Sequence, residues 1–262
     1  DGFSYIALVF AYLKNEKGIE FLNEIIIPFY NENQETTETQ MLKLFSKLIN
    51  LEYYNDEQIQ EMLEIVKGIC ERGKIYQEFD SSLFNLITDL SKIHPEISPL
   101  FIEMAIATLN ETKDDEAQIS LCSSCALFLL SAFNQNHEEF QEAIAAVIPD
   151  IFAVFPVSEK HKTVQFWFEI KAFFEACQDS MTKEIFELLI GCLTRYLSYQ
   201  KFTYIIFSVP DELHGEIIQF YGQLIESYLS QSENLSFEDL LNTLLPNQPT
   251  SVKFILSLYS GE

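Results

Sequence analysis

The spacing of apolar residues is the feature that most restricts the fold of this chain. Over long stretches they recur at i, i+3, i+4 and i+7, which is the spacing of one face of an α-helix. Residues 55–72 show the pattern, with apolar positions at Ile59, Met62, Leu63, Val66, Ile69 and Cys70. Asn55 and Asp56 provide an N-cap before this run, and Gly73 provides a stop after it. The pattern predicts an all-α protein.

The same spacing predicts a succession of helices along the rest of the chain. One covers 80–92 and ends at His94-Pro95, because the residue before a proline avoids the helical region. The next begins near Pro95. The others lie at 2–14, 17–31, 37–50, 116–134, 137–154, 160–177, 181–199, 211–230, 236–245 and 249–259. Residues 199–211 are β-branched and aromatic, and they suit either a short strand or a buried short helix.

Short connections between these helices force neighbours to run antiparallel, and pairs of them form units of roughly 35–45 residues, as in HEAT and armadillo repeats. The segments 121–133 and 143–155 are apolar on more than one side, so each needs a covering neighbour on both sides. We expect a right-handed α–α superhelix, a HEAT/armadillo-like α-solenoid of antiparallel helix pairs. Residues 1–262 should form one continuous domain, part of a longer protein. A globular helical bundle is the alternative, because no exact repeat recurs.

The charge of the chain is strongly acidic, with 40 acidic and 16 basic residues and a net charge of −24. Proteins that neutralise nucleic-acid phosphates need clustered Lys and Arg, and here only Arg72 and Arg195 are arginines. The charge argues against direct nucleic-acid binding and against docking on an anionic membrane, and no apolar run is long enough to span a bilayer. It favours protein partners with basic segments, unless it serves only to keep an apolar protein soluble.

Catalytic and metal-binding patterns are missing from the sequence. Cys122 and Cys125 form a CxxC inside a predicted helix, without the second ligand pair that a zinc site needs, and are expected to be packed core thiols. Each of the four histidines borders a predicted helix end: His94, His137, His161 and His214. The chain has no GxSxG, HExxH or glycine-rich phosphate-binding pattern. We therefore expect no enzymatic activity, no catalytic or metal-binding residue and no cofactor.

Acidic residues cluster where several predicted helices begin. Carboxylates at a helix N-terminus complement the helix dipole, so ordinary capping is one interpretation. The other interpretation is an acidic surface that attracts basic segments of a partner protein. The candidate partner-binding residues are Asp114, Asp115, Glu116, Glu138, Glu139, Glu142, Asp211 and Glu212.

Aromatic side chains concentrate in residues 159–176, at positions 166, 167, 168, 173 and 174. Side chains of this size bury a large apolar area on a helix. We expect them to belong to the core, with a partly exposed aromatic groove between neighbouring helices as the alternative.

A resemblance to a known family lies in the same region. Phe166-Trp167-Phe168-Glu169 and Phe173-Phe174 are followed by Lys183-Glu184-Ile185-Phe186-Glu187-Leu188-Leu189 and by Leu193-Thr194-Arg195-Tyr196-Leu197-Ser198-Tyr199. This segment, about 40 of the 262 residues, resembles the karyopherin-β family of nuclear import and export receptors. The resemblance implies a superhelix whose concave face takes basic cargo or the small GTPase Ran, while Phe-Gly repeats dock between outer helices.

Composition and resemblance together predict a protein-binding helical-repeat scaffold. As a middle or carboxy-terminal part of a nuclear transport receptor, it would be found in the cytoplasm and the nucleus. The alternative is a non-transport HEAT-repeat scaffold or an adaptor subunit of a multiprotein complex.

Overall fold

A computed structural model describes residues 9, 16–50, 52, 54–76, 81–154, 160–177, 185–189, 191 and 211–231. Every element among them is helical, and they include no strand, which confirms the prediction of an all-α chain. Apart from Val9 and Asp211, the predicted helices at 2–14, 236–245 and 249–259 and the ambiguous segment 199–211 lie outside the described residues. Contacts group the chain into two compact units, Asp1–Phe140 and Gln141–Glu262. A single continuous domain stays a prediction.

The first unit contains a series of helices joined by short connections. They are α1 (Glu16–Phe21), a π-helical turn (Leu22–Ile26), α2 (Ile27–Glu32), α3 (Gln34–Asn50), α4 (Asp56–Tyr76), α5 (Ser81–Ile93), a 3-10 helix (Pro95–Leu100), α6 (Ile102–Thr112), a second 3-10 helix (Glu116–Gln118), α7 (Ile119–Asn134) and a third 3-10 helix (Glu138–Phe140). The second unit contains α8 (Gln141–Ala153), α9 (Lys160–Cys177) and α10 (Asp211–Gln231). Residues 185–189 are also helical.

Local sequence rules explain how α4 begins. The Asn55 Oδ1 accepts a 2.9 Å hydrogen bond from the backbone N–H of Gln58, and the Gln58 Oε1 accepts a 3.0 Å bond from the N–H of Asn55. This reciprocal pair is a capping box and confirms the predicted N-cap. The predicted stop at Gly73 is wrong, since α4 continues to Tyr76. One glycine inside a helix costs only about 1 kcal/mol relative to alanine, so it does not by itself end the helix.

The segment after α5 differs from the prediction of an α-helix starting near Pro95. The chain leaves α5 after Ile93 as expected, but it forms a 3-10 helix up to Leu100, and α6 begins only at Ile102. Pro99 has no N–H group, which removes one hydrogen bond that an α-helix starting at Pro95 would need. Leu100, the last residue of the 3-10 helix, is 58% exposed.

Alternate helices form a row in the first unit. The helices α3, α5 and α7 pack side by side, and α6 packs on α7. Three contacts within the row join residues 43 or 44 positions apart: Ser46 with Asp89, Phe84 with Phe128, and Ser91 with Gln135. Between α5 and α7 the offset is 44 residues both at Phe84, in the first turn of α5, and at Ser91, near its end, so these two helices run parallel.

The helix α7 lies at the centre of this core. All side chains from Leu121 to Ala132 are buried, and both α5 and α6 contact the helix, which confirms that residues 121–133 need a neighbour on each side. The same prediction for residues 143–155 is wrong in α8. There Ile144, Val147, Ile148, Ile151 and Phe152 are buried, but the alanines at 143, 145, 146 and 153 are exposed. Alanine counts as apolar but adds too little area to require burial.

A polar cluster holds α4 against the helices before it. One guanidinium nitrogen of Arg72 donates to the Tyr30 hydroxyl at 3.1 Å and to the Glu38 carboxylate at 2.8 Å. Burial raises the pKa of Tyr30, although Arg72 acts in the opposite direction. The cluster joins α2, α3 and α4 through one partly buried cation.

The second unit has an aromatic core. In α9, the Trp167 ring meets Phe220 and Tyr221 of α10 at centroid distances of 5.3 and 5.9 Å. Nearer the C-terminus of α9, Lys171 donates to Glu216 at 2.7 Å. Along these contacts the residue numbers rise in α9 and fall in α10, so the two helices run antiparallel. On α8, Phe152 packs against Phe173 and Phe174 of α9.

Candidate protein-binding site

The predicted acidic residues of the first unit lie at the starts of two 3-10 helices. Asp115 is the N-cap of the 3-10 helix Glu116–Gln118, where its carboxylate accepts from the Ala117 N–H at 2.9 Å and from the Gln118 side chain at 3.1 Å. Asp114 beside it is exposed. Asp115 therefore caps this 3-10 helix, as the capping interpretation predicts, because its carboxylate already accepts from two donors.

Glu138 and Glu139 lie together at a surface pocket. Both side chains are exposed, and with Pro99 and His137 they line a depression of about 520 Å³. Asn136, just before them, has a φ of 59°, a left-handed conformation that asparagine tolerates better than most residues. This turn between α7 and the third 3-10 helix places both carboxylates beside Pro99, a residue about forty positions earlier.

A partly buried polar network holds the turn that carries the pocket residues. The Gln135 amide nitrogen donates to the Ser91 carbonyl at 3.0 Å, and the amide oxygen accepts from the Ser98 hydroxyl at 2.6 Å. The same oxygen lies 3.1 Å from the His137 Nε2, which must then carry a proton and donate. One side chain thus joins the C-terminal end of α5, the first 3-10 helix and the turn that carries the acidic pair.

The first 3-10 helix adds a further negative charge and an apolar side chain. At its N-terminal end Glu96 is exposed, and its carboxylate lies 3.0 Å from the His94 Nδ1. A bond from its own backbone N–H, together with His94, lowers the pKa of Glu96, so the group stays ionised at neutral pH. At the C-terminal end of the same 3-10 helix, Leu100 is exposed next to Pro99.

None of the other predicted site residues is among the described residues that line this pocket. Glu142 is exposed in the first turn of α8, in the second unit. Asp211 and Glu212 are the first two residues of α10, and their side chains, like that of Glu116, lie outside the described part. Of the eight predicted residues, the structure places Glu138 and Glu139 together at one pocket. Pro99, His137 and the Gln135 network were missed, because no local pattern connects them.

The aromatic segment of α9 belongs mainly to the core, as the first interpretation predicts. Trp167, Phe173 and Phe174 are buried, whereas Phe168 is 55% exposed and the side chain of residue 166 lies outside the described part. The Glu216 carboxylate raises the pKa of Lys171, and this ammonium also lies 6.0 Å from the centre of the Phe220 ring. The described contacts thus leave one large exposed ring here and no aromatic groove within α9.

Thiol and metal chemistry find no support in the described residues. Cys122 and Cys125 are fully buried within α7, as predicted for core thiols. Within the described ranges, no group of three or more His, Cys, Asp or Glu side chains could hold a metal ion. None of the described helices is long and apolar enough to cross a membrane.

Comparison of the chain with protein-family models, with curated proteins and with solved structures finds no match. We therefore infer the kind of ligand from the pocket itself. Two neighbouring carboxylates can accept charge-assisted hydrogen bonds from a lysine or arginine. Pro99 offers apolar surface beside them, and Leu100, the next residue in the chain, is exposed, so the geometry suits a basic side chain next to an apolar one.

Proposed function

We propose that this chain is a protein-binding α-solenoid scaffold of the HEAT type that recognises basic segments of partner proteins. The observation that carries the proposal is the pocket in which exposed Glu138 and Glu139 lie beside Pro99. The net charge of −24 adds a long-range attraction for basic partners.

The row of α3, α5 and α7, in which α5 and α7 run parallel, supports the solenoid part of this proposal. In a stack of helix pairs, equivalent helices of successive units lie side by side and point the same way. The offset of 43 or 44 residues between contact partners falls within the HEAT and armadillo unit length of roughly 40–47 residues. In an up-and-down helical bundle, by contrast, short loops make consecutive helices the neighbours.

The narrower proposal is that the scaffold is part of a karyopherin-β nuclear transport receptor. It rests on the resemblance of residues 160–199 alone and implies Ran, Phe-Gly nucleoporins and basic cargo as partners, in the cytoplasm and the nucleus. A non-transport HEAT-repeat scaffold or adaptor subunit would use the same acidic pocket without those partners.

A charge-reversal experiment tests the pocket. Binding of a fluorescent peptide that alternates lysine and leucine is measured by anisotropy for the wild type and for E138K/E139K. We expect the variant to bind about tenfold more weakly. The matched control is E103K/E111K, which changes the net charge equally at two exposed residues of α6. Equal weakening by both variants would show that only net charge matters and that the pocket is not the site.

A second experiment separates the two versions of the scaffold. A transport receptor is expected to bind GTP-loaded Ran or Phe-Gly repeat peptides, and its association with basic cargo should weaken steeply with salt. If the native protein that carries this sequence binds neither ligand, the transport proposal is wrong. Recovery of a stable complex with other proteins would then favour the non-transport scaffold.

A further inference from the structure

A stripe of exposed apolar side chains runs along the first helical segment. Phe21 at the end of α1, Ile25 in the π-helical turn and Phe29 in α2 are 43%, 52% and 48% exposed. We call these three residues the apolar stripe. The opposite face of the same segment is buried through Leu22, Ile26, Ile27 and Tyr30, so the segment has two apolar faces, of which one is buried and the other is about half exposed.

The π-helical turn keeps the apolar stripe straight. In a regular α-helix, residues four apart drift around the axis, because a turn contains 3.6 residues. A π-helical turn closes its hydrogen bonds at i→i+5 and so holds more residues per turn. Placed at Leu22–Ile26, it reduces this drift between Phe21 and Phe29. Such π insertions are rare and are found frequently at functional sites.

The size of the apolar stripe distinguishes it from ordinary surface residues. A fully buried aromatic side chain covers roughly 150–250 Å², so three large side chains that are about half exposed present roughly 300 Å² of adjoining apolar surface. That is the size of the largest apolar patch on a typical monomer, and such patches are often binding sites. Single exposed apolar residues, by contrast, need no explanation.

Acidic side chains border the apolar stripe. Glu20, Glu24 and Glu32 are exposed, and Glu24 and Glu32 follow Phe21 and Phe29 by three residues. Residues three apart lie side by side on a helix surface. These three glutamates are the charged side chains that the structure describes on α1, the π-helical turn and α2, and the side chain of Lys17 in α1 lies outside the described part. The charged side chains that the structure describes beside the apolar stripe are therefore all negative.

We propose that the apolar stripe docks an amphipathic helix of a partner protein, whose apolar face is flanked by lysine and arginine. Such a helix places apolar anchors at i, i+4 and i+7 on the stripe and its cations opposite the three glutamates. This surface is separate from the pocket of Glu138 and Glu139, so it goes beyond the proposed function. A second copy would set acids against acids, and an anionic membrane would be repelled in the same way.

The test uses the full chain and a synthetic amphipathic helix of about 18 residues with a leucine face flanked by lysines. Binding is measured by fluorescence anisotropy, and a peptide with glutamate in place of lysine is the charge control. We expect the lysine-flanked peptide to bind about tenfold more tightly than the glutamate-flanked one. The variant I25S/F29S should weaken its binding by about tenfold or more.

Two controls isolate the apolar stripe. Phe168→Ser removes another exposed aromatic ring, on α9, and should leave binding unchanged. E138K/E139K should also leave it unchanged, so that failure of this inference and failure of the proposed function are distinguishable. Circular dichroism melting checks that I25S/F29S is folded, as expected for side chains that are about half exposed.

Several outcomes would overturn the inference. These are no binding of the lysine-flanked peptide up to about 1 mM, equal binding of the glutamate-flanked peptide, or no effect of I25S/F29S. A dimer of this chain that dissociates in I25S/F29S would show that a second copy covers the stripe. Binding to phosphatidylserine vesicles that is lost in the same variant would show that a membrane does.

Discussion

The row of α3, α5 and α7 in the first unit and the pair α9–α10 in the second show two ways of packing helices. In the row, the α5–α7 contacts Phe84–Phe128 and Ser91–Gln135 keep a constant sequence difference of 44, so these two helices run parallel. In the pair, Trp167–Phe220 and Lys171–Glu216 keep a constant sum of residue numbers, so the helices run antiparallel.

The chemistry of the contacts also differs between the two regions. The row combines apolar contacts with polar bonds at the C-terminal ends of its helices, where Asp89 and Gln135 each receive or donate bonds across the interface. The described contacts of the pair include three aromatic rings and a polar link at the surface, Lys171–Glu216. Directional hydrogen bonds fix register, while aromatic burial supplies free energy with less dependence on register.

The largest expected difference concerns access to the thiols of α7 and α9. Cys122 and Cys125 are fully buried in α7, whereas Cys177 is half-buried at the end of α9. Alkylation of the α7 thiols requires opening of the core, so we expect it to be at least about a thousandfold slower than that of Cys177. Timed alkylation followed by peptide mass spectrometry measures the rates. Equal rates would show that α7 opens as easily as the end of α9.

The pH dependence of that reaction gives an internal check. Burial raises the pKa of Cys177, and only the thiolate reacts. Its alkylation rate should therefore keep increasing with pH beyond the range where an ordinary cysteine levels off. A plateau at the pH of an unperturbed thiol would contradict the burial at this position.

A second prediction tests the aromatic contact of the second unit. Trp167→Ala removes a side chain that is 2% exposed, and we expect it to lower the free energy of unfolding by about 3–5 kcal/mol. Trp167→Phe should cost less, because it keeps most of the volume and removes a buried indole N–H that has no hydrogen-bond partner. Urea unfolding followed by circular dichroism measures both variants.

The matched control for Trp167 is its neighbour Phe168, which is 55% exposed. We expect Phe168→Ala to change the free energy of unfolding by no more than about 0.5 kcal/mol. A loss at Phe168 as large as that at Trp167 would mean that α9 buries a different face.

A third prediction tests the polar contacts of the row. Gln135→Ala leaves the buried Ser98 hydroxyl and the Ser91 carbonyl without their partner, and we expect a loss of about 1–3 kcal/mol in the free energy of unfolding. Gln118→Ala, at an exposed glutamine, is the control and should have little effect. If the two variants unfold alike in urea, the network does not stabilise the row.

The smallest expected effect is at the surface link of the second unit. Lys171 and Glu216 are partly exposed, and a surface ion pair contributes roughly 0.2–1 kcal/mol. A double-mutant cycle of Lys171→Met and Glu216→Gln measures the coupling, which should decrease in high salt. A coupling free energy as large as the loss in unfolding free energy caused by Gln135→Ala would contradict the expected difference between the two regions.

Sequence patterns predicted most of the helical positions. The prediction of a helix at 160–177 matches α9, and the capping box of Asn55 and Gln58 begins α4 as expected. Helical periodicity and capping depend on residues a few positions apart, so they can be read directly from the chain. The 3-10 helix around Pro99 was missed because proline is also common in the first turn of an α-helix.

The candidate sites were only partly predictable. Acidity at residues 138 and 139 is visible in the sequence, but their meeting with Pro99 depends on Gln135, which bonds to groups 37 and 44 residues away. Likewise, the apolar stripe of Phe21, Ile25 and Phe29 looks like any other apolar face of a predicted helix. Hydrophobic spacing shows that a helix has apolar faces but does not show which of them a neighbour covers.

The sequence by itself therefore determined the all-α class, the acidic charge and the position of most helices, because these follow from local propensity and composition. Tertiary packing decided that α3, α5 and α7 form a row, that two glutamates meet Pro99, and that one apolar face of α1 and α2 stays about half exposed. The physical reason is that these features depend on contacts between residues far apart in the chain, which local spacing does not encode.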